Sequence, residues 1–135
     1  MRLMELAWGA MVVVAFLVSG VYLKAITDPA TELDLARMMY RSNHIYLLMS
    51  GLAVILWAQR KRTTSIGVVV SLLRYLAGLS IVIAPLIFVV AFIVEAGVID
   101  SQRLWTFYGV IVLFAGVMAT LLVSMVEELI AYYQR

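Results

Sequence analysis

Arg37, Arg41, His44 and Tyr46 on one segment, with Glu95 and Arg103 further along, are the side chains of this chain whose types and spacing could do chemistry. Arg37, Arg41 and His44, continued by Leu48, recur at the spacing of a single helix face. A guanidinium offers a planar fork that grips carboxylate or phosphate. An imidazole can take up and release a proton near neutral pH. A carboxylate facing them would balance the charge. Such a set could hold a lipid headgroup, a quinone or a haem, or could pass protons or ions. A catalytic centre is a further option for such a set, with no catalytic residue assigned in it.

The remaining motifs exclude more than they offer. The chain has no cysteine, which removes disulfides, thiolate zinc sites and dithiol redox chemistry. Gly-rich phosphate-binding patterns are absent. His44 is the only histidine. A b-type haem would therefore need a second ligand from Met38, Met39 or Met49, or from a second copy of the chain. No cofactor and no metal are expected. The net charge of +2 and the lack of basic runs flanked by aromatics argue against nucleic acid.

What must position these residues is a set of helices in lipid. Of the 135 residues, 65% are hydrophobic and 13% charged, whereas a soluble domain is roughly half apolar and about a quarter charged. Four stretches reach the about 20 mostly apolar residues that cross a bilayer: 4–26, 38–59, 72–95 and 103–127. The first run continues past the length of a signal sequence and no small-residue cleavage site follows it, so it is expected to be retained. Thr27-Asp28-Pro29 ends it, because proline breaks the hydrogen-bond ladder. Thr31-Glu32-Leu33-Asp34 reads as a capping box that starts a helix over 31–37 ahead of the second span. Connections this short make neighbours antiparallel. The expected fold is an all-α integral membrane protein: one domain over 1–135, four transmembrane helices in an up-down-up-down bundle.

Basic residues set the expected orientation. Arg2, Arg60, Lys61, Arg62, Arg74 and Arg135 share one side, and Lys24, Arg37, Arg41 and Arg103 the other. The dense Arg60-Lys61-Arg62 run places the first side in the cytoplasm, with both termini. Trp8, Trp57, Tyr75, Tyr132 and Tyr133 fall near that boundary, and Tyr22, Tyr40, Tyr46, Trp105 and Tyr108 near the other, where interfacial aromatics belong. The expected location is the bacterial inner (plasma) membrane.

Small residues forecast the packing seams, because close backbone approach replaces hydrophobic drive in lipid. Ala77, Ala84 and Ala91 repeat every seven residues, as do Gly109 and Gly116, beside Ala115 and Ala119. The same period joins Arg37, His44, Gly51 and Ala58, so His44 should point into the bundle. Pro85 in the third span should kink it. Glu95, at the depth of Arg41, is expected to pair with it. His44 should be hydrogen-bonded just beneath, and Asn43 and Tyr46 should complete the network.

The segment Lys24…Asp28-Pro29…Arg37…Arg41-Ser42-Asn43-His44 resembles the basic stretch opening the second span of the membrane-associated eicosanoid and glutathione metabolism family. That resemblance would imply a small membrane enzyme. The chain departs from the family pattern: hydrophobic or aromatic residues stand where the family has the Asn and Glu that follow the His, and its third span lacks the family's polar motif. A channel or transporter would need polar groups at mid-membrane, where only Ser19, Ser50, Ser80 and Thr120 interrupt the spans. The function expected from the sequence is that of a non-enzymatic structural or accessory subunit that forms a homo-oligomer or packs in a larger membrane complex. The alternative is ligand binding or ion conduction at the Arg41, His44 and Glu95 cluster.

Overall fold

The computed structural model of the chain describes residues 2–26, 34–60, 67–95 and 103–133. They form four helices: α1 (Arg2–Ile26), α2 (Asp34–Gln59), α3 (Val68–Val94) and α4 (Leu104–Tyr133). No strand occurs among the described residues. The capping box at 31–34 falls largely outside them, as does the side chain of Arg37.

Three helices, α1, α3 and α4, are long and apolar enough to cross a membrane. α2 has the length, with 26 residues, but falls short in apolarity. Its first half carries Arg37, Arg41 and the polar run Ser42-Asn43-His44, which offsets the apolar second half.

Paired residues give the helix directions. Gly9 of α1 lies against Gly51 and Ile55 of α2, whereas Gly20 lies against His44, so α1 and α2 run antiparallel. Trp57 covers Gly78, and Tyr46 stacks on Phe88, which sets α3 antiparallel to α2. Gly116 receives Ile81 and Ser80, and Gly109 receives Phe88, which sets α4 antiparallel to α3. The two sequential hairpins pack most extensively, α2 and α3 join them, and α2 and α4 touch only lightly.

The seven-residue seams lie where backbones come close. Ala77, Ala84 and Ala91 are all buried, and both Gly109 and Gly116 are buried in α4. Ala115, expected on the same seam, is exposed instead. It sits about 100° round the helix from Gly116, off the buried face. The core centres on Leu47, Ala84, Phe88 and Leu113, with Phe16, Tyr46 and Phe92 packed against it. Pro85 is fully buried on the same face. One turn back, the indole Nε1–H of Trp8 donates to the Val82 carbonyl at 3.1 Å, tying α1 to α3 near the break in the ladder.

A Cβ on Gly9 would sit 2.7 Å from Ile55 Cγ1 and 3.1 Å from the Gly51 carbonyl oxygen. Gly9→Val should therefore destabilise the α1–α2 hairpin by about 1–3 kcal/mol, as overpacking does. Ala7→Val, on the exposed side of the same helix, should change stability by less than about 0.5 kcal/mol. Thermal unfolding in detergent followed by circular dichroism distinguishes the two.

Candidate functional site

The densest polar cluster is built at one end of α2, α3 and α4. α3 closes with the Glu95 N–H donating to Ala91 O at 3.0 Å. This leaves the Glu95 side chain, 2% exposed, facing the start of α4. The first turn of α4 has backbone N–H groups with no partner inside the helix. Arg103, preceding it, has no side-chain oxygen to offer them. Glu95 supplies the acceptors from across the hairpin. The backbone N–H of Trp105 donates to Oε1, that of Thr106 to Oε2 at 3.1 Å, and the Thr106 hydroxyl to Oε2 at 2.6 Å. These are the second and third helical positions, the ones a capping side chain ordinarily serves. A carboxylate there also sits at the positive end of the α4 dipole.

α2 enters the same cluster through Asn43, which is fully buried. Its Oδ1 lies 2.9 Å from Thr106 Oγ1 and accepts from Arg103 Nη2 at 2.9 Å. The single Thr106 hydroxyl proton thus has two acceptors. Arg103 Nη2 also donates to Ser42 Oγ at 2.8 Å. Asn43 Nδ2 and Arg103 Nε are buried without a partner among the described residues.

The structure brings some of the sequence-predicted residues together and separates others. Glu95 and Arg103 share this cluster through Thr106 and Asn43. The expected Arg41–Glu95 pair is not formed: Arg41 is exposed, and Glu95 is occupied by α4. The reason is angular. At about 100° per residue, Arg41 points roughly 200° away from Asn43, and it is Asn43 that faces the α3–α4 junction. His44, one step further round, turns to α1. It does point inward as expected, but toward Phe16, whose ring stacks on it at 4.0 Å, and toward Ser19. Ser19 Oγ donates to Phe16 O at 2.8 Å and lies 2.8 Å from His44 Nδ1. Which of Ser19 Oγ and His44 Nδ1 donates to the other follows the imidazole tautomer. Tyr46 stacks on Phe88 at 5.2 Å and makes no part of the Glu95 cluster.

A second polar cluster, at the opposite end, was missed from the sequence. Glu127 of α4 receives Arg74 of α3 in a close ion pair and Arg60, at the end of α2, at 3.1 Å. Arg60 also reaches Thr120 O at 3.5 Å and sits 5.7 Å from the centre of the Trp57 ring. Arg74 interrupts the start of one apolar run and Glu127 the end of the next. Opposite charges so placed on antiparallel helices were the signal that could have revealed the pair. Beside them, Arg2 donates to Ala58 O at 2.8 Å and Gln59 O at 2.7 Å, closing the last turn of α2.

Two open grooves flank α2. One, of about 440 Å³, runs between α1, α2 and α3 past Ser19, Tyr22, Tyr40 and Phe92. The other, of about 450 Å³, runs between α2 and α4 over Ile81 and ends at Arg60. Among the described residues, no group of three or more His, Cys, Asp or Glu side chains is arranged to hold a metal ion. Comparison with protein-family models, with curated proteins and with solved structures finds no match to this chain.

Glu95→Gln retains one acceptor oxygen but presents an amide to donors it cannot satisfy. It should lower stability by about 1–3 kcal/mol, the cost of unmet buried hydrogen bonds. Arg41→Gln should change stability by less than about 0.5 kcal/mol, as exposed substitutions do. If Arg41 were the partner of Glu95, the two substitutions would destabilise by comparable amounts in thermal unfolding in detergent.

Proposed function

We propose that this chain is a small four-span membrane protein acting as a non-enzymatic structural or accessory subunit, which self-associates or packs within a larger membrane complex. The observation that carries this reading is how the polar cluster spends its hydrogen bonds. Both Glu95 oxygens serve the start of α4, and Arg103 serves Ser42 and Asn43. Groups used this way fix helix ends and register, and leave little to act on a substrate.

α2 joins the other three helices as a span in this reading. At about 1.5 Å per residue its length exceeds the roughly 30 Å hydrocarbon layer. Its polar residues Asn43 and Ser50 are fully buried, while Ile45, Met49, Leu52 and Leu56 form one exposed apolar stripe. That is how a helix with polar content meets lipid. Both termini lie on the cytoplasmic side of the plasma membrane, with the Arg60-Lys61-Arg62 run.

A second reading, ligand binding or proton conduction, draws on His44. Among the described residues only its Nδ1 is hydrogen-bonded, and its Ser19 partner lines the groove between α1 and α3. The ligand would be a quinone or another planar apolar molecule with an acceptor for an imidazole or hydroxyl proton.

Two experiments test the proposal. Native mass spectrometry from lipid nanodiscs, with cross-linking in the membrane, should give a multimer or a defined partner. A lone monomer under both conditions would overturn the subunit reading. Because the chain has no cysteine, Asp28→Cys and Lys61→Cys each introduce a single thiol. An impermeant maleimide should label the first from outside intact cells and the second only after permeabilisation. Labelling of both from the same side would show that α2 does not span.

A further inference from the structure

The groove between α1, α2 and α3 is walled by apolar side chains, Ala15, Val18, Leu47 and Val89 among them, and Ser19 forms part of its lining. At about 440 Å³ it falls within the roughly 300–1,000 Å³ of small-molecule pockets. Ser19 is 7% exposed and stands about two turns inside the end of α1 at Ile26. A molecule that reaches it therefore comes through lipid rather than from water. Three helices each send an aromatic ring to the same groove. Phe92 meets Tyr22 edge-on at 6.5 Å and Tyr40 at 5.7 Å. Rings so placed favour a flat aromatic neighbour.

The hydrogen bonds of Ser19 say what chemistry the groove accepts. A serine hydroxyl has one proton to give and two lone pairs to receive with. Ser19 Oγ lies 2.8 Å from Phe16 O and 2.8 Å from His44 Nδ1. Where the imidazole carries its proton on Nδ1, it donates to Ser19, and the Ser19 proton goes to Phe16 O. Where Nδ1 is bare, the Ser19 proton turns to it, and the hydroxyl receives nothing. In both tautomers the proton is engaged and at least one lone pair is open. A ligand that only accepts must take the Ser19 proton from a bond already made. A ligand with a hydroxyl adds a bond and displaces none.

From these observations we infer that the groove binds the hydroquinone form of a membrane quinone, one ring hydroxyl donating to Ser19 Oγ and the ring lying beside Tyr22 and Phe92. The oxidised quinone has nearly the same shape and apolar surface, but its oxygens only accept. With Nδ1 bare, the contact becomes a directed chain from the ligand hydroxyl through Ser19 to His44, in which each bond strengthens the next. Phe16, stacked on the imidazole at 4.0 Å, holds the far end of that chain in place. The inference rests on the ligand-binding reading given above and adds to it the form of quinone that is held.

The test uses the full-length protein in nanodiscs, equilibrated without oxygen with decylubiquinone or with the same compound reduced to its hydroquinone, with uptake by empty nanodiscs subtracted. The wild type should bind the hydroquinone about two- to tenfold more tightly than the quinone, the value of one hydrogen bond. Ser19→Ala should abolish that preference by weakening hydroquinone binding alone. Val18→Trp, at the exposed rim of the groove, should fill it and weaken binding of both forms. Decanol, which brings a hydroxyl without a ring, should bind more weakly than the hydroquinone. Equal affinity for the two forms, or a preference for the quinone, would overturn the inference and leave the ligand-binding reading standing. Binding of neither form would overturn both. A preference that survives Ser19→Ala, or binding unchanged in Val18→Trp, would also overturn the inference. Decanol bound as tightly as the hydroquinone would overturn the choice of a quinone. Unchanged helical circular dichroism of each variant in nanodiscs separates loss of the site from loss of the fold.

Discussion

The arrangement of the helices depends on one carboxylate finding its donors. Glu95 is almost wholly buried, and a bare charge at that position in an apolar surround would be costly. Its cost is offset because α4 begins where its two oxygens can accept from unsatisfied backbone N–H groups. The same contact fixes the height of α4 relative to α3. It also places Thr106 where its hydroxyl lies between Glu95 and Asn43. Through Asn43 the register passes to α2. A single acid thus sets three helices relative to one another.

α2 is the element that distributes these constraints. Successive residues at its polar end look in different directions: Asn43 toward the α3–α4 junction, His44 toward α1, and Tyr46 onto Phe88. Further along, Gly51 receives Val12 and Val13 of α1, and Trp57 covers Gly78 of α3. At its far end Arg2 closes the last carbonyls, and Arg60 reaches α4. The helix with the least apolar sequence is therefore the one with neighbours on three sides, which is where polar side chains can be satisfied without water.

The sequence made much of this legible, and the losses have identifiable causes. The apolar runs, their breaks and the seven-residue spacing of alanines and glycines marked helices and close approaches, because those signals arise within one helix. The inward direction of His44 followed from Gly51 and Ala58 for the same reason. Which neighbour each face meets is set by packing between helices, and there the reading failed. It chose Arg41 for Glu95 by depth and charge, whereas the structure uses backbone N–H groups, which no side-chain pattern displays. The Arg60, Arg74 and Glu127 cluster was overlooked because basic residues near span ends were read for orientation alone. The shortfall of α2 in apolarity came from counting its length without weighing Ser42-Asn43-His44 against it.

The close spacing of Glu95 and its donors along the chain has a bearing on biosynthesis. Trp105 and Thr106 lie only 10 and 11 residues beyond it. The acid therefore emerges from the ribosome almost together with the amides that will hold it, and the junction of the third and fourth helices can form its hydrogen bonds before the fourth is complete. By contrast, Arg2 must wait through 56 residues for Ala58, so the contact that closes the first helix onto the end of the second forms only once the whole of the second has been made.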